Sequence, residues 1–166
     1  KYLALAEGDL SEANDSVFWK EIAIPLAPDP ENSMKMTISP DGLLPGSRNA
    51  VTYYKNIKSF GNVTLVELQL ETGRNHQIRV HMAGVGHPLL GDTMYNPRAC
   101  LKMSNRKEKK NTEGRINNRN DCFKRAALHA WKLTFCHPFT DEIITLEAPL
   151  PDDFCRFLNA NEEEKT

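Results

Sequence analysis

The residues best suited to chemistry lie in one run, Thr72-Gly73-Arg74-Asn75-His76-Gln77-Ile78-Arg79-Val80-His81, continuing through Gly86-His87-Pro88-Leu89-Leu90-Gly91-Asp92 to Tyr95. Its arginines supply forked N–H donors, and its histidines titrate near neutrality. Arg74, His76 and Arg79 gather where a helix is expected to begin, the end at which the helix dipole is already positive. An anion belongs beside such a cluster. The pattern admits two readings: a solvated, incidental basic turn, or a site where arginines grip a carboxylate or phosphate through paired donors. His76 and His81 form no H-E-x-x-H pattern and have no carboxylate at metal-ligand spacing, so no metal site is predicted.

The elements around this run must hold it in place. Thr72 and Gly73 close a strand, Asn75 suits an N-cap, Ile78, Met82 and Val85 recur at helical spacing, and Gly86 is a stop; a short helix is predicted from about His76 to Val85. Ahead of it, Val51, Thr52, Tyr53, Tyr54 and Ile57 mark a strand over 50–60, Gly61-Asn62 reverses the chain, and 63–70 returns as its partner. In that second strand Thr64, Val66, Leu68 and Leu70 share one face and Glu67 and Gln69 the other, which predicts one side toward a core and the other toward solvent or ligand. Arg79 would then sit on a rigid strand and helix. Pro88, Gly91 and Asp92 are read as turn structure without a part in catalysis.

Further out, Tyr2, Leu3 and Leu5 suit a strand, 17–24 another and 34–38 a short third, with prolines at 25, 28 and 30 making a loop or sheet edge. A second hairpin is predicted from 127–136 and 142–146, with Trp131, Leu133 and Phe135 as packed strand-face residues and His129 as a structural histidine. From Pro151 an amphipathic helix uses Phe154, Phe157 and Leu158, and 161–166 is an acidic tail. Tyr2 by itself reads as a core aromatic. No internal repeat is evident.

With 166 residues the chain suits one domain, and its net charge of −1 gives no overall signal for nucleic acid. The charge is uneven, however. From 98 to 125, Arg98, Lys102, Arg106, Lys107, Lys109, Lys110, Arg115, Arg119, Lys124 and Arg125 are opposed only by Glu108, Glu113 and Asp121. Few apolar residues interrupt them, so a mobile surface insertion is predicted, either an ordinary solvated loop or a phosphate-contacting one. Cys100, Cys122, Cys136 and Cys155 form no C-x-x-C pair, and free thiols are expected. No run of about twenty apolar residues and no signal-peptide pattern is present, which predicts a protein of the cytoplasm or another intracellular compartment, with no membrane partner. The chain enters a strand directly at Lys1 without an initiating methionine, as if cut from something longer.

Gly-Arg-x-His-Gln-Ile-Arg-x-His followed by Gly-x-Pro-x-x-Gly-Asp-x-x-Tyr resembles the signature of the RluA family of pseudouridine synthases, which isomerise uridine in structured RNA. Lys1-Tyr2-Leu3-Ala4 resembles a second family element in slightly altered form, and Ala50-x-Thr52-x-Tyr54, Leu128-His129-Ala130 and Glu147-Ala148-Pro149-Leu150-Pro151 resemble others. The resemblance implies an α+β fold, a mixed, mainly antiparallel sheet with flanking helices, present here as the C-terminal portion of a catalytic domain over 1–160. It implies Tyr2 as the tyrosine that stacks on the flipped base and Arg79 as the arginine that pairs with the attacking aspartate. Lys1, Arg74, His76, Arg106, Lys107, Lys109 and Lys110 are the expected RNA contacts. No metal or organic cofactor is implied.

The family's His-Arg-Leu-Asp motif is absent from these residues. The expectation is therefore a part of an enzyme whose nucleophilic aspartate lies upstream of Lys1, inactive alone, monomeric, and acting on ribosomal rather than transfer RNA; Arg125-Ala126-Ala127-Leu128-His129-Ala130 resembles family members that modify large-subunit ribosomal RNA. A non-catalytic RNA-binding module on the same scaffold is the alternative.

Overall fold

The computed structural model describes residues 1–10, 18–99 and 123–162. Strands β1 (Tyr2–Glu7), β2 (Lys20–Ala23), β3 (Leu26–Pro28), β4 (Met36–Ile38), β5 (Val51–Ser59) and β6 (Val63–Leu70) lead into helix α1 (Gln77–Gly84). Strands β7 (Leu128–Ala130), β8 (Lys132–Cys136) and β9 (Ile143–Glu147) follow, and helix α2 (Asp152–Glu162) comes last. The main sheet has the order β2-β5-β6-β1-β7, with β3-β4 and β8-β9 as separate two-stranded ribbons. The α+β architecture is as the sequence predicts, and among the described residues every strand pairing is antiparallel.

The central strands are buried on both faces. On one side Leu3, Leu5, Val63 and Leu65 pack with Phe154 and Phe157 of α2; on the other Ala4, Ala6, Val66 and Leu68 pack with Ile78 and Met82 of α1. The reading of that second face of β6 as open to solvent or ligand holds at Gln69, which is exposed, and is corrected at Val63 and Leu65, which α2 covers. Glu67 is also buried, and Lys1 at 2.7 Å and Lys55 at 2.9 Å hold its charge. Burial opposes its ionisation, yet hydrogen bonds and charge from the two lysines win and hold the carboxyl below its ordinary range.

Helix α1 starts one residue later than its sequence suggests. His76, not Asn75, occupies the N-cap, in the left-handed region (φ 54°, ψ 17°) with no side-chain cap bond. Gln77 reaches back instead: its Oε1 accepts the Arg74 amide and the Thr72 hydroxyl, and its Nε2 donates to Val51 O and Thr52 Oγ1. Gly86 ends the helix as expected, its amide donating to Ala83 O at φ 88°. The predicted second hairpin is divided: β7 pairs with β1, while β8 pairs with β9. Leu133 and Phe135, expected to be packed, are 58% and 39% exposed. No described helix is long and apolar enough to cross a membrane.

Candidate active site

Arg79 projects from the first turns of α1 onto the loop that follows it. Its Nε donates to Asp92 Oδ2 at 2.7 Å and its Nη2 to Asp92 Oδ1 at 2.8 Å. Asp92, read from sequence as turn structure, is the carboxylate partner that the basic cluster required. Its side chain is wholly buried, and Oδ1 also accepts the amides of Met94 (3.0 Å) and Tyr95 (3.2 Å). Burial alone would raise this carboxyl; the Arg79 hydrogen bond and charge, with the Tyr95 and Met94 amides, outweigh it and keep the group below its ordinary range. The same hydrogen bond moves Arg79 up against the opposing effect of burial.

Tyr95 completes the arrangement. The Arg79 guanidinium carbon lies 4.9 Å from the centre of its ring. The Tyr95 oxygen accepts the Met36 amide at 2.9 Å and shares a hydrogen bond with His76 Nδ1 at 2.8 Å. The environment of His76 favours the neutral ring. Burial first, then the Arg79 charge, push its pKa down, with Asp92 opposing. This contact also explains the left-handed backbone of His76, a conformation that histidine tolerates better than most residues.

His81, on the opposite side of α1, is a satisfied core group. Its Nε2 faces Ile24 O at 2.8 Å and must donate, leaving Nδ1 to accept from Thr52 Oγ1 at 2.8 Å. A run of bonds through Thr72, Gln77, Thr52 and His81 thus ties α1 to β5 and fixes the angle from which Arg79 leaves the helix. Nothing in the sequence spacing revealed this run.

The other expected site residues fall in separate places. Tyr2 is half-buried at the start of β1 and lines a cavity of about 560 Å³ with Lys1, Gln69, Leu70, Ala130–Leu133 and Leu146–Ala148. Arg79 is not among the residues lining that cavity. Lys1 is engaged with Glu67, and its ammonium stands 5.4 Å from the Trp19 ring. Arg74 donates through Nε to Asn49 O and lines a smaller cavity of about 310 Å³ with Arg48. Arg106, Lys107, Lys109 and Lys110 lie outside the described residues, as does most of the predicted basic insertion.

Residues 1–84 match the sequence family described as RNA pseudouridylate synthase. The chain is 37% identical over 158 residues to the uncharacterized RNA pseudouridine synthase YlyB of Bacillus subtilis, a match that covers 95% of this chain and 42% of that protein. It is 46% identical over 116 residues to the ribosomal large subunit pseudouridine synthase D of Haemophilus influenzae, covering 70% of this chain and 34% of that one. Among solved structures, human RNA pseudouridylate synthase domain containing 1 superposes with a TM-score of 0.62 at 26% identity, over 90% of this chain and 54% of that one. The chain thus spans less than half the length of these curated relatives.

Proposed function

The chain belongs to the RluA family of RNA pseudouridylate synthases, and on that premise we propose that it is the tyrosine- and arginine-bearing part of an enzyme converting uridine to pseudouridine in structured RNA. The observation that carries the reading is Arg79. It is fixed on a rigid helix, only 21% exposed in its side chain, with Asp92 engaging one edge of the guanidinium. A guanidinium has five N–H donors, so among the described residues three are left for a second anion.

The reaction exchanges bonds without redox change. The C1′–N1 glycosidic bond breaks, the uracil turns, C1′–C5 forms, and the proton lost from C5 is matched by one gained at N1. The attacking carboxylate is proposed to come from residues outside this chain. Arg79 would hold that carboxylate ionised in a dry pocket, where burial alone would favour its protonated form. Tyr2, beside the larger cavity, is placed in the reading against the base, which must leave its stack to be reached. The relatives named for the ribosomal large subunit support large-subunit ribosomal RNA as the substrate.

The occupied edge of Arg79 also suits a second reading, an RNA-binding module without catalysis, in which the Arg79–Asp92 pair is purely structural. Incubating the native protein that contains this chain with uridine-labelled ribosomal RNA separates the two. Catalysis predicts multiple turnovers of pseudouridine, and a loss of at least about a hundredfold in Arg79→Ala if this residue holds the nucleophile. RNA binding with no pseudouridine would establish the alternative.

A further inference from the structure

The geometry points to Asp92 as a positioning residue for Arg79, with Tyr95 as the surface that fixes the plane of the guanidinium; this rests on the synthase reading above. Asp92 binds the Nε/Nη2 edge of the fork at 2.7 and 2.8 Å. That choice of edge leaves the end-on pair of donors, Nη1 and the second hydrogen of Nη2, directed away from Asp92. A carboxylate approaching there would meet a fork already oriented in two directions. Tyr95 restricts the third, since its ring lies 4.9 Å from the guanidinium carbon and its hydroxyl is fixed between the Met36 amide and His76 Nδ1.

Asp92 itself has little freedom. Its side chain is completely buried, the Met94 and Tyr95 amides hold Oδ1, and its own amide donates to Leu89 O. The loop carrying it is fastened to β1: Asn96 Nδ2 donates to Glu7 Oε1 at 2.9 Å and Arg98 Nη1 to Glu7 Oε2 at 3.0 Å. Tyr2 lies at the opposite end of the same strand. Strand β1 therefore ties the clamp on Arg79 to the tyrosine.

A purely architectural ion pair would contribute to folding and leave the chemical step alone. A positioning residue acts through Arg79 and does nothing when that fork is absent. The test uses the native protein containing this chain in four forms: wild type, Asp92→Asn, Arg79→Lys and the double variant. Single-turnover rates, RNA affinity and thermal midpoints are measured for each. With Arg79 in place, Asp92→Asn is expected to lower the rate at least tenfold at an RNA affinity within twofold. In the Arg79→Lys background the same change is expected to cost less than twofold, because an ammonium has no edge to orient. Partial recovery in Asp92→Glu supports the same role.

An equal loss in both backgrounds overturns the proposal, as does a rate change that follows loss of affinity or of folded protein. If Asp92→Asn does not fold, Tyr95→Leu decides, because it removes the ring and leaves the carboxylate: a rate loss at unchanged affinity supports positioning, and an unchanged rate overturns it. A wild-type protein that makes no pseudouridine refutes the proposed function itself. An active wild type with full-rate Asp92→Asn refutes only the part given to Asp92.

Discussion

At the scale of single residues, Arg79 and Asp92 hold one another's charge, the fork donating at 2.7 and 2.8 Å to a carboxylate whose side chain is wholly buried. Arg74, His76 and Arg79 were visible as a cation cluster awaiting an anion, and the structure supplies Asp92, which the Gly91-Asp92 context presented as a turn. Spacing could not show this, because the pair depends on the path of the loop back to α1. His81 gives a prediction of its own. Burial lowers its pKa, against the pull of the Ile24 carbonyl, so the folded state favours the neutral ring. Above the ordinary value of 6.5 both states are neutral and the contribution is intact. As pH falls from there toward the lower folded value, the unfolded chain takes up a proton that the folded chain refuses, and stability is lost. Urea midpoints should therefore drop between pH 7 and pH 5, and His81→Gln should shrink that drop; an equal drop in the variant would exclude His81 as its source. Asp92 acts in a lower window. Its depressed carboxyl contributes fully above 3.8, and that contribution is lost as pH falls through the folded value.

At the scale of elements, the loop from Gly86 to Arg98 decides where the site stands. Gly91 has φ 68°, and a Cβ there would lie 2.7 Å from Phe123 Cβ and directly against the Arg125 carbonyl oxygen. Gly91→Ala is expected to cost about 2–4 kcal/mol, combining a disfavoured backbone with overpacking against main chain. Because Gly91 precedes Asp92, the same variant should weaken the clamp on Arg79. Thermal unfolding checks the first effect, and a shift of less than about 3 °C would contradict it. The β5–β6 hairpin was legible because period-two patterning and Gly61-Asn62 act locally. The burial of Glu67 was not, since it looks as solvated as the exposed Gln69 beside it until Lys1 and Lys55 are known to hold it. The helix boundary was missed by a residue because Gln77, not Asn75, supplies the back-reaching side chain.

At the scale of the whole molecule, single strands and helices could be read from local patterning, while the α+β fold and the family followed from the resemblance carried by the run around Arg79. The larger cavity could not, because it forms where the start of β1 meets the β8–β9 ribbon, far along the chain. On the ribbon, Leu133 pairs with Leu146 and Phe135 with Ile144, forming an apolar face of which Leu133 and Leu146 are 58% and 55% exposed. Leu133 and Leu146 also line Tyr2's cavity. We expect these 166 residues alone to form no pseudouridine, since the proposed nucleophile is supplied from elsewhere. Turnover by the isolated chain would refute that assignment.

On the proposed function, Arg79 serves uridine isomerisation. The most direct test is the pseudouridine content of ribosomal RNA, read by mass spectrometry, after incubation with the native protein containing this chain and with its Arg79→Ala form. Near-stoichiometric pseudouridine is expected with the former and, over the same time, under about 1% of it with the latter. Equal conversion by both proteins would contradict that role.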